Sequence, residues 1–110
     1  MTRITFYQKD PKVITGFVCE GHTGYAEEGS DIVCAAVSAL VLNTVNSITD
    51  LVGAKAKVTA DEENAMIRFT LVDESSADAQ LLLRSLMFGL SNLEDQEETG
   101  RFIDLTVEEV

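Results

Sequence analysis

Residues 30–52 form the stretch SDIVCAAVSALVLNTVNSITDLV. Its apolar residues recur at the spacing of one face of an α-helix. Ser30 or Asp31 can cap the start of that helix, because either side chain can accept a hydrogen bond from an amide two or three residues later. The pattern predicts a helix that runs to about Leu51 and stops before Gly53. Its apolar positions are Ile32, Val33, Ala36, Val37, Leu40, Val41, Val45, Ile48, Leu51 and Val52.

The segment before this helix predicts a β-hairpin. Residues 2–8 and 13–20 alternate between apolar and polar side chains, which is the period of a half-buried strand. A turn around Pro11 separates them, since proline restricts its own backbone and that of its predecessor. The alternation places an apolar set on the core side of the second strand, and that set is Val13, Phe17 and Cys19.

The segment after the helix predicts a second hairpin, a second helix and a last strand. Residues 54–60 and 65–71 alternate and are joined by a short polar turn. Ser75 and Asp78 match a capping box at the start of the second helix. The apolar stripe of that helix comprises Ala77, Leu81, Leu82, Leu86, Leu90 and Leu93. With alternation over residues 103–108, the order is ββαββαβ, which predicts an α+β fold whose antiparallel or mixed sheet has two helices packed on one face.

Composition points to one acidic domain. The chain has 110 residues, 45% of them hydrophobic, which suits a single core spanning residues 1–110. The formal net charge is -11, from 19 acidic and 8 basic residues. Direct nucleic-acid binding is disfavoured, because affinity for phosphates comes mainly from Lys and Arg. The acidity either only keeps the protein soluble or attracts a basic partner, and composition leaves both interpretations open.

The sequence predicts a soluble, cytoplasmic protein. It contains no run of about 18 apolar residues, and residues 1–6 alternate like a strand instead of resembling a signal peptide. Cytosolic thiol systems would then keep Cys19 and Cys34 reduced, so we do not expect a structural disulfide.

A glycine-rich loop is predicted over residues 21–30, immediately before the helix. Periodicity is lost there, and the glycines give the backbone unusual freedom. His22, the only histidine of the chain, lies in this loop. Tyr25 either lines a substrate groove or anchors the loop. The glycines are Gly21, Gly24 and Gly29.

Cys34 is the candidate nucleophile. A cysteine attacks as a thiolate, and at an unperturbed pKa near 8.5 only a few per cent of it is ionised at neutral pH. If Asp31 is the cap, Cys34 is the third helical residue, where the helix dipole would lower the pKa by only about 0.2–1.5 units. His22 can provide the additional activation by taking the thiol proton and later returning it to a leaving amine. Such a pair requires no metal and no cofactor.

Other roles for these residues are open at this point. A cysteine and a histidine close in sequence are usually unrelated, and Cys19 is most simply a small core residue. Asp31 either orients the imidazole or only caps the helix, while Ser38 either bonds near the site or bonds its own backbone. A metal site is weakly supported, because the spacing of its candidate ligands matches no common zinc pattern. Those ligands would be Cys19, His22, Asp31 and Cys34.

Two motifs closely resemble a known family. Residues 21–26, GHTGYA, and residues 29–40, GSDIVCAAVSAL, are similar to the signature of the ribosomal-processing cysteine protease family, Prp. The predicted order of elements and the chain length agree with that family. Thr23 is a small departure, since alanine is expected there, and it leaves the arrangement of His22 and Cys34 intact.

The resemblance implies a protease that removes the N-terminal extension of a large-subunit ribosomal protein near the peptidyl-transferase centre, with cleavage after an aromatic residue. It implies that His22 and Cys34 are the catalytic pair and that Asp31 and Ser38 support the site. It also implies a homodimer and a glycine-rich loop that orders over bound peptide. The loop positions concerned are Gly21, Gly24, Tyr25 and Gly29.

Two alternatives to a protease are compatible with the residues alone. One is a non-enzymatic ribosome-assembly module that binds a basic ribosomal protein through its acidic surface. The other is a thiol redox sensor in which Cys34 is reversibly oxidised. Neither requires His22 and Cys34 to act as a pair.

Overall fold

The computed structural model of the protein describes residues 1–9, 12–21 and 30–110. They form one sheet of five strands with helices packed on it. The elements are β1 Thr2–Lys9, β2 Val13–Glu20, α1 Ser30–Asn46, a π-helical segment Ser47–Val52, β3 Ala56–Asp61, β4 Met66–Leu71, α2 Ala77–Asp95, a short α3 Glu97–Gly100 and β5 Ile103–Glu109.

The sheet is mixed, with strand order β3-β4-β2-β1-β5. The strand β5 pairs in parallel with β1, and the other neighbouring pairs are antiparallel. The predicted α+β class and order of the main elements are confirmed; α3 is an additional single turn between α2 and β5. In this topology β1 and β4 begin at the same end of the sheet at which β2 and β3 finish.

The core lies between one face of the sheet and the two long helices. Three phenylalanines on neighbouring strands pack in a row, with ring centroids 5.5 Å apart for Phe6 and Phe17 and 5.4 Å apart for Phe17 and Phe69. The helices close over them with regularly spaced buried side chains. Those are Val33, Val37, Val41, Val45 and Ile48 from the first helical stretch and Ala79, Leu83, Leu86 and Leu90 from α2.

The predicted end of the first helix is confirmed, although its last turns are π-helical. Gly53 ends it in a left-handed conformation with φ of 75°, and its N–H bonds to the Ile48 carbonyl, as expected for a glycine after a helix.

The stretch Ile32–Val52 is long and apolar enough to cross a membrane by length and composition. One of its sides lies in the core, which is equally typical of the central helix of a globular domain.

A β-bulge changes which side chains of β2 face the core. Tyr7 pairs with Gly16 whereas Gln8 pairs with Ile14, so Thr15 is the extra residue of β2. The bulge reverses the alternation at the start of the strand. Ile14 is therefore buried and Val13 is only partly buried, so the predicted core position of Val13 is wrong.

The helix α2 is also rotated and capped differently from the prediction. Ser76, not Ser75, caps it, since its hydroxyl accepts a hydrogen bond from the Ala79 amide at 3.1 Å. Leu81 is 58% exposed instead of buried. Because residues 81–83 are all leucines, the sequence does not show which side of the helix faces the core. A buried polar contact decides which side it is.

That contact joins Gln80 to the backbone of Ile14. The Gln80 Oε1 accepts from the Ile14 N–H at 2.8 Å, and its Nε2 donates to the Ile14 carbonyl at 2.8 Å. The paired register of β4 on β2 extends from Gly16 to Cys19, so Ile14 lies beyond it. The Gln80 side chain thus satisfies buried backbone groups in place of a neighbouring strand and fixes the rotation of α2.

Replacing Gln80 by leucine tests this contact. Each buried backbone group left without a partner costs about 1–3 kcal/mol, and two groups lose theirs, so we expect Gln80→Leu to lower the free energy of unfolding by about 2–6 kcal/mol. Urea unfolding followed by circular dichroism measures the change. Arg84→Ala, at an exposed position on the same helix, is the control and should change stability by less than about 0.5 kcal/mol. Equal stabilities of the two variants would contradict the role of Gln80.

Candidate active site

A cleft of about 380 Å³ opens where several strand ends meet the first part of α1. Thr2 at the start of β1 and Gly21 just after β2 contribute to one wall. Asp61 and Met66, where β3 ends and β4 begins, contribute to another. Cys34 comes from α1. The antiparallel order of β1, β2, β4 and β3 brings these positions together although they are far apart in sequence.

The Cys34 side chain is half-buried and its sulfur lies beside Thr2. The distance between the Cys34 Sγ and the Thr2 Oγ1 is 3.6 Å. Val33 and Val37 are buried, which fixes the rotation of α1 and turns Cys34 toward the cleft. A thiol that is packed on one side and open to a groove on the other can reach a bound ligand.

The helix α1 begins at Ser30, one or two residues earlier than a cap at Ser30 or Asp31 predicts. Ser30 and Asp31 both lie within it, so neither is the residue that precedes the helix. Cys34 is therefore the fifth helical residue and not the third. Because the effect of the helix dipole falls off within the first turn, it favours the thiolate less than the sequence suggested. Activation of Cys34 by a neighbouring group becomes correspondingly more important.

Cys19 lies in the same cleft as Cys34. Its side chain is half-buried at the end of β2 and also packs against the core, as predicted. Burial, together with the smaller effects of the nearby charges of Cys34 and Glu20, raises the pKa of the Cys19 thiol to about 11. Cys19 is thus a protonated thiol at neutral pH. Its position in the cleft was missed because alternation along β2 shows only which face a residue occupies.

Gly21 forms the entrance to the predicted glycine-rich loop. Its φ is +90°, and a Cβ at this position would lie 2.6 Å from the Met1 carbonyl oxygen. Any other residue would be strained and would collide with the backbone. Gly21 lines the cleft, and His22 is the next residue of the chain.

Several predicted site residues lie outside the part of the chain that the structure describes. They are His22, Gly24, Tyr25 and Gly29, and the same holds for the side chain of Asp31. Their proposed roles stay predictions.

Ser38 lies in the wall of the cleft, one helical turn after Cys34. Its side chain is exposed, so it can contact a ligand in the groove. This position agrees with a residue that supports the site.

Acidic side chains lie at the hairpin side of the cleft. Asp61 and Glu62 both line it. The Asn64 side-chain Nδ2 donates to the Asp61 carboxylate at 2.7 Å, and the Asn64 backbone N–H donates to the same carboxylate at 3.2 Å. These bonds hold the pKa of Asp61 below its ordinary value, so this carboxylate stays charged at neutral pH. The cleft therefore presents negative charge to whatever enters it.

Metal ligation is not evident in the described ranges, where no group of three His, Cys, Asp or Glu side chains could hold an ion. Two of the candidate ligands, His22 and Asp31, are not covered by that observation. The absence of a metal or cofactor requirement stays a prediction.

The fold and the cleft define an α+β domain that presents a thiol in an open groove. Residues 1–103 match the family model described as cysteine protease Prp. The chain belongs to this family of cysteine proteases. Family membership favours the enzymatic prediction over the non-enzymatic assembly module and the redox sensor.

Two bacterial relatives match most of the length of this chain in sequence. The ribosomal processing cysteine protease Prp of Bacillus subtilis is 32% identical over 98 residues, covering 86% of this chain and 88% of the relative. The protein of the same name from Staphylococcus aureus is 28% identical over 96 residues, covering 87% of this chain and 91% of the relative.

Two solved structures of the Staphylococcus aureus protease have the same fold. The complex with a substrate peptide has a TM-score of 0.90 at 28% identity and covers 98% of this chain and 100% of that one. The complex with a covalently linked product peptide has a TM-score of 0.86 at 29% identity, again covering 98% of this chain and 100% of that one.

The two thiols of the cleft should differ in their pH dependence of alkylation. Because the pKa of Cys19 is about 11, iodoacetamide should modify Cys19 slowly at pH 7 and about tenfold faster with each unit of pH up to that value. Cys34 should react at lower pH. Peptide mapping by mass spectrometry distinguishes the two sites, and Cys19→Ala and Cys34→Ala proteins are the controls for each assignment. Rapid labelling of Cys19 at pH 7 would contradict its protonated state.

Proposed function

We propose that this chain is a cysteine endopeptidase that removes the N-terminal extension of a large-subunit ribosomal protein, the one near the peptidyl-transferase centre, with Cys34 as nucleophile. The observation that supports this most directly is the half-buried Cys34 sulfur in an open cleft of a chain that belongs to a protease family. The relatives named ribosomal processing proteases, one of them solved with a substrate peptide, support the class of substrate.

We propose His22 as the general base of the reaction. The proximity of Gly21 to Cys34 in the lining of one cleft supports this, because the chain leaves that cleft wall directly into His22. In the proposed reaction the imidazole takes the thiol proton and the sulfur attacks the scissile carbonyl carbon. The imidazolium then protonates the departing amine, and the peptide remains on Cys34 as a thioester. Water, deprotonated by the imidazole, hydrolyses the thioester and restores the thiol.

We propose that an aromatic side chain of the substrate enters the apolar part of the cleft. Val37 of α1 and the hairpin residues Ala65, Met66 and Ile67 line it together with Cys34. Burial of an aromatic side chain against such walls contributes hydrophobic free energy and places the following peptide bond near the sulfur. Cleavage after an aromatic residue is the specificity that this lining favours.

The negative charge of the protein and of its cleft favours binding of a basic substrate. The net charge of -11 attracts a basic protein over long range, and Asp61 and Glu62 extend that charge into the cleft. Ribosomal proteins are commonly basic because they bind RNA. Electrostatic attraction of this kind raises the rate of encounter and weakens as salt is added.

We propose supporting roles for the remaining predicted positions. Asp31 and Ser38 support the site, and the exposed position of Ser38 in the cleft wall is consistent with contact to a bound peptide. The glycine-rich loop, with Gly24, Tyr25 and Gly29, covers that peptide.

We further propose that the protein acts in the cytoplasm as a homodimer. No disulfide joins Cys19 and Cys34, as expected in a reducing compartment. Large apolar side chains are exposed on the helices, among them Ile32 at 73% and Phe88 at 70%, and their burial would stabilise an interface.

Light scattering after gel filtration tests the proposed dimer. We expect it to give twice the mass of one chain, and the mass of a single chain would contradict the dimer.

Replacement of Cys34 by alanine tests the proposed nucleophile. We expect the purified Cys34→Ala protein to leave a peptide that spans the extension uncut, because no thioester can form. Loss of the base in His22→Ala should lower kcat about 10²–10⁴-fold. Mass spectrometry of the peptide after incubation detects the shortened product.

Cys19→Ala is the matched control, since Cys19 is protonated at neutral pH and its loss should leave cleavage measurable. Circular dichroism of each variant shows whether the fold is retained. A folded Cys34→Ala protein that still cuts the peptide at the same bond would overturn the assignment.

A further inference from the structure

We propose that Thr2 is a positioning residue for Cys34, whose hydroxyl donates a hydrogen bond to the sulfur in its thiolate form and holds it in place in the cleft. This inference rests on the proposed role of Cys34 as the nucleophile. It adds to the reaction a residue from the first strand, far from both sequence motifs.

The Thr2 side chain is fixed and buried next to the sulfur. It is only 3% exposed, and its Oγ1 lies 3.6 Å from the Cys34 Sγ, within reach for a hydrogen bond that involves sulfur. Its backbone N–H donates to the Phe102 carbonyl at 2.8 Å, and Thr2 pairs with Ile103 in the parallel register of β1 and β5. The hydroxyl is thus attached to a strand held by its neighbours, and a rigid support of this kind fixes the position of the sulfur.

The chemistry of the two groups gives the contact a direction. A threonine hydroxyl can donate or accept, and a neutral thiol can do both weakly. A thiolate can only accept. When Cys34 loses its proton, the hydroxyl can rotate to donate to the anion, and hydrogen bonds to an ionised partner are roughly twice as strong as neutral ones. The contact therefore stabilises the thiolate more than the thiol.

The other described charges of the cleft make such a donor valuable. Asp61 and Glu62 line the same cleft as Cys34, and their negative charge opposes formation of a further anion there. Cys19, the second thiol of the cleft, stays protonated at neutral pH and adds no negative charge. His22, which we propose as the base, becomes cationic only after it has taken the proton. A neutral donor in contact with the sulfur offsets the acidic surroundings without requiring a further charge.

Thr2→Val removes the hydroxyl and preserves the shape of the side chain. We expect the alkylation rate of Cys34 by iodoacetamide at pH 7 to fall about tenfold and its pH profile to move to higher pH, since the thiolate loses a charge-assisted hydrogen bond. In the peptide-cleavage assay kcat should fall by a similar factor, about tenfold, while KM changes less than about twofold. Thr2→Ser, which keeps the hydroxyl, should restore most of both.

Thr70→Val is the matched control, because Thr70 is an exposed strand residue that is not among the residues lining the cleft. It should leave both the labelling profile and kcat unchanged. Thermal unfolding of all three variants measures any loss of the fold. If Thr2→Val were too unstable to assay, Thr2→Ala together with Thr2→Ser would provide the same comparison.

An unchanged labelling profile in folded Thr2→Val, or an equal loss in Thr2→Ser and Thr2→Val, would overturn the role of the hydroxyl. Labelling is measured without substrate, so its outcome is separate from that of the proposed function. If the wild-type protein failed to cut the ribosomal peptide while Thr2→Val still shifted Cys34 labelling, the substrate assignment would fail and the inference about Thr2 would stand.

Discussion

The burial of one face of α1 is the constraint on which the site depends. Val33 and Val37 lie in the core on either side of Cys34 in sequence, and Val41, Val45 and Ile48 continue the same face. Because each helical residue turns by a fixed angle, these contacts leave the helix no freedom to rotate. Cys34 is consequently held at the border between core and solvent, half-buried and turned to the cleft. A rigid helix positions a reactive side chain more accurately than a loop does.

The end of the sheet provides the rest of the cleft around that thiol. The starts of β1 and β4 and the ends of β2 and β3 meet there, and three of these strands contribute distinct polar groups. Thr2 contributes a hydroxyl beside the sulfur, Cys19 a protonated thiol, and Asp61 a carboxylate that stays charged. Gly21 lets the chain turn sharply next to the Met1 backbone and leads into His22. A peptide bound here would meet apolar walls, the proposed nucleophile and an acidic side within one groove.

Much of this arrangement could be predicted from residues that are close in sequence. Helical and alternating patterns were sufficient for the order of the main elements, and Gly53 was sufficient for the end of the first helix. What could not be predicted depends on contacts between distant segments. The bulge at Thr15 exchanged Ile14 for Val13 in the core, and the bond between Gln80 and Ile14, 66 residues apart, selected the buried face of α2. The contact of Thr2 with Cys34 spans 32 residues and appears only once the sheet is formed.

The start of α1 was predicted too late for a different reason. Ser30 and Asp31 are both residue types that commonly cap helices, but here they lie inside the helix.

A covalent intermediate on the thiol held by α1 would show that this thiol carries the peptide through the reaction. Rapid acid quenching during turnover of a peptide with an aromatic residue before the scissile bond, followed by intact-mass and fragment analysis, would locate the acyl group. We expect a transient thioester on Cys34, with the mass of the part of the substrate N-terminal to the cut. An acyl group on Cys19, or release of product by the wild-type protein with no acyl group on Cys34 at any time, would contradict it.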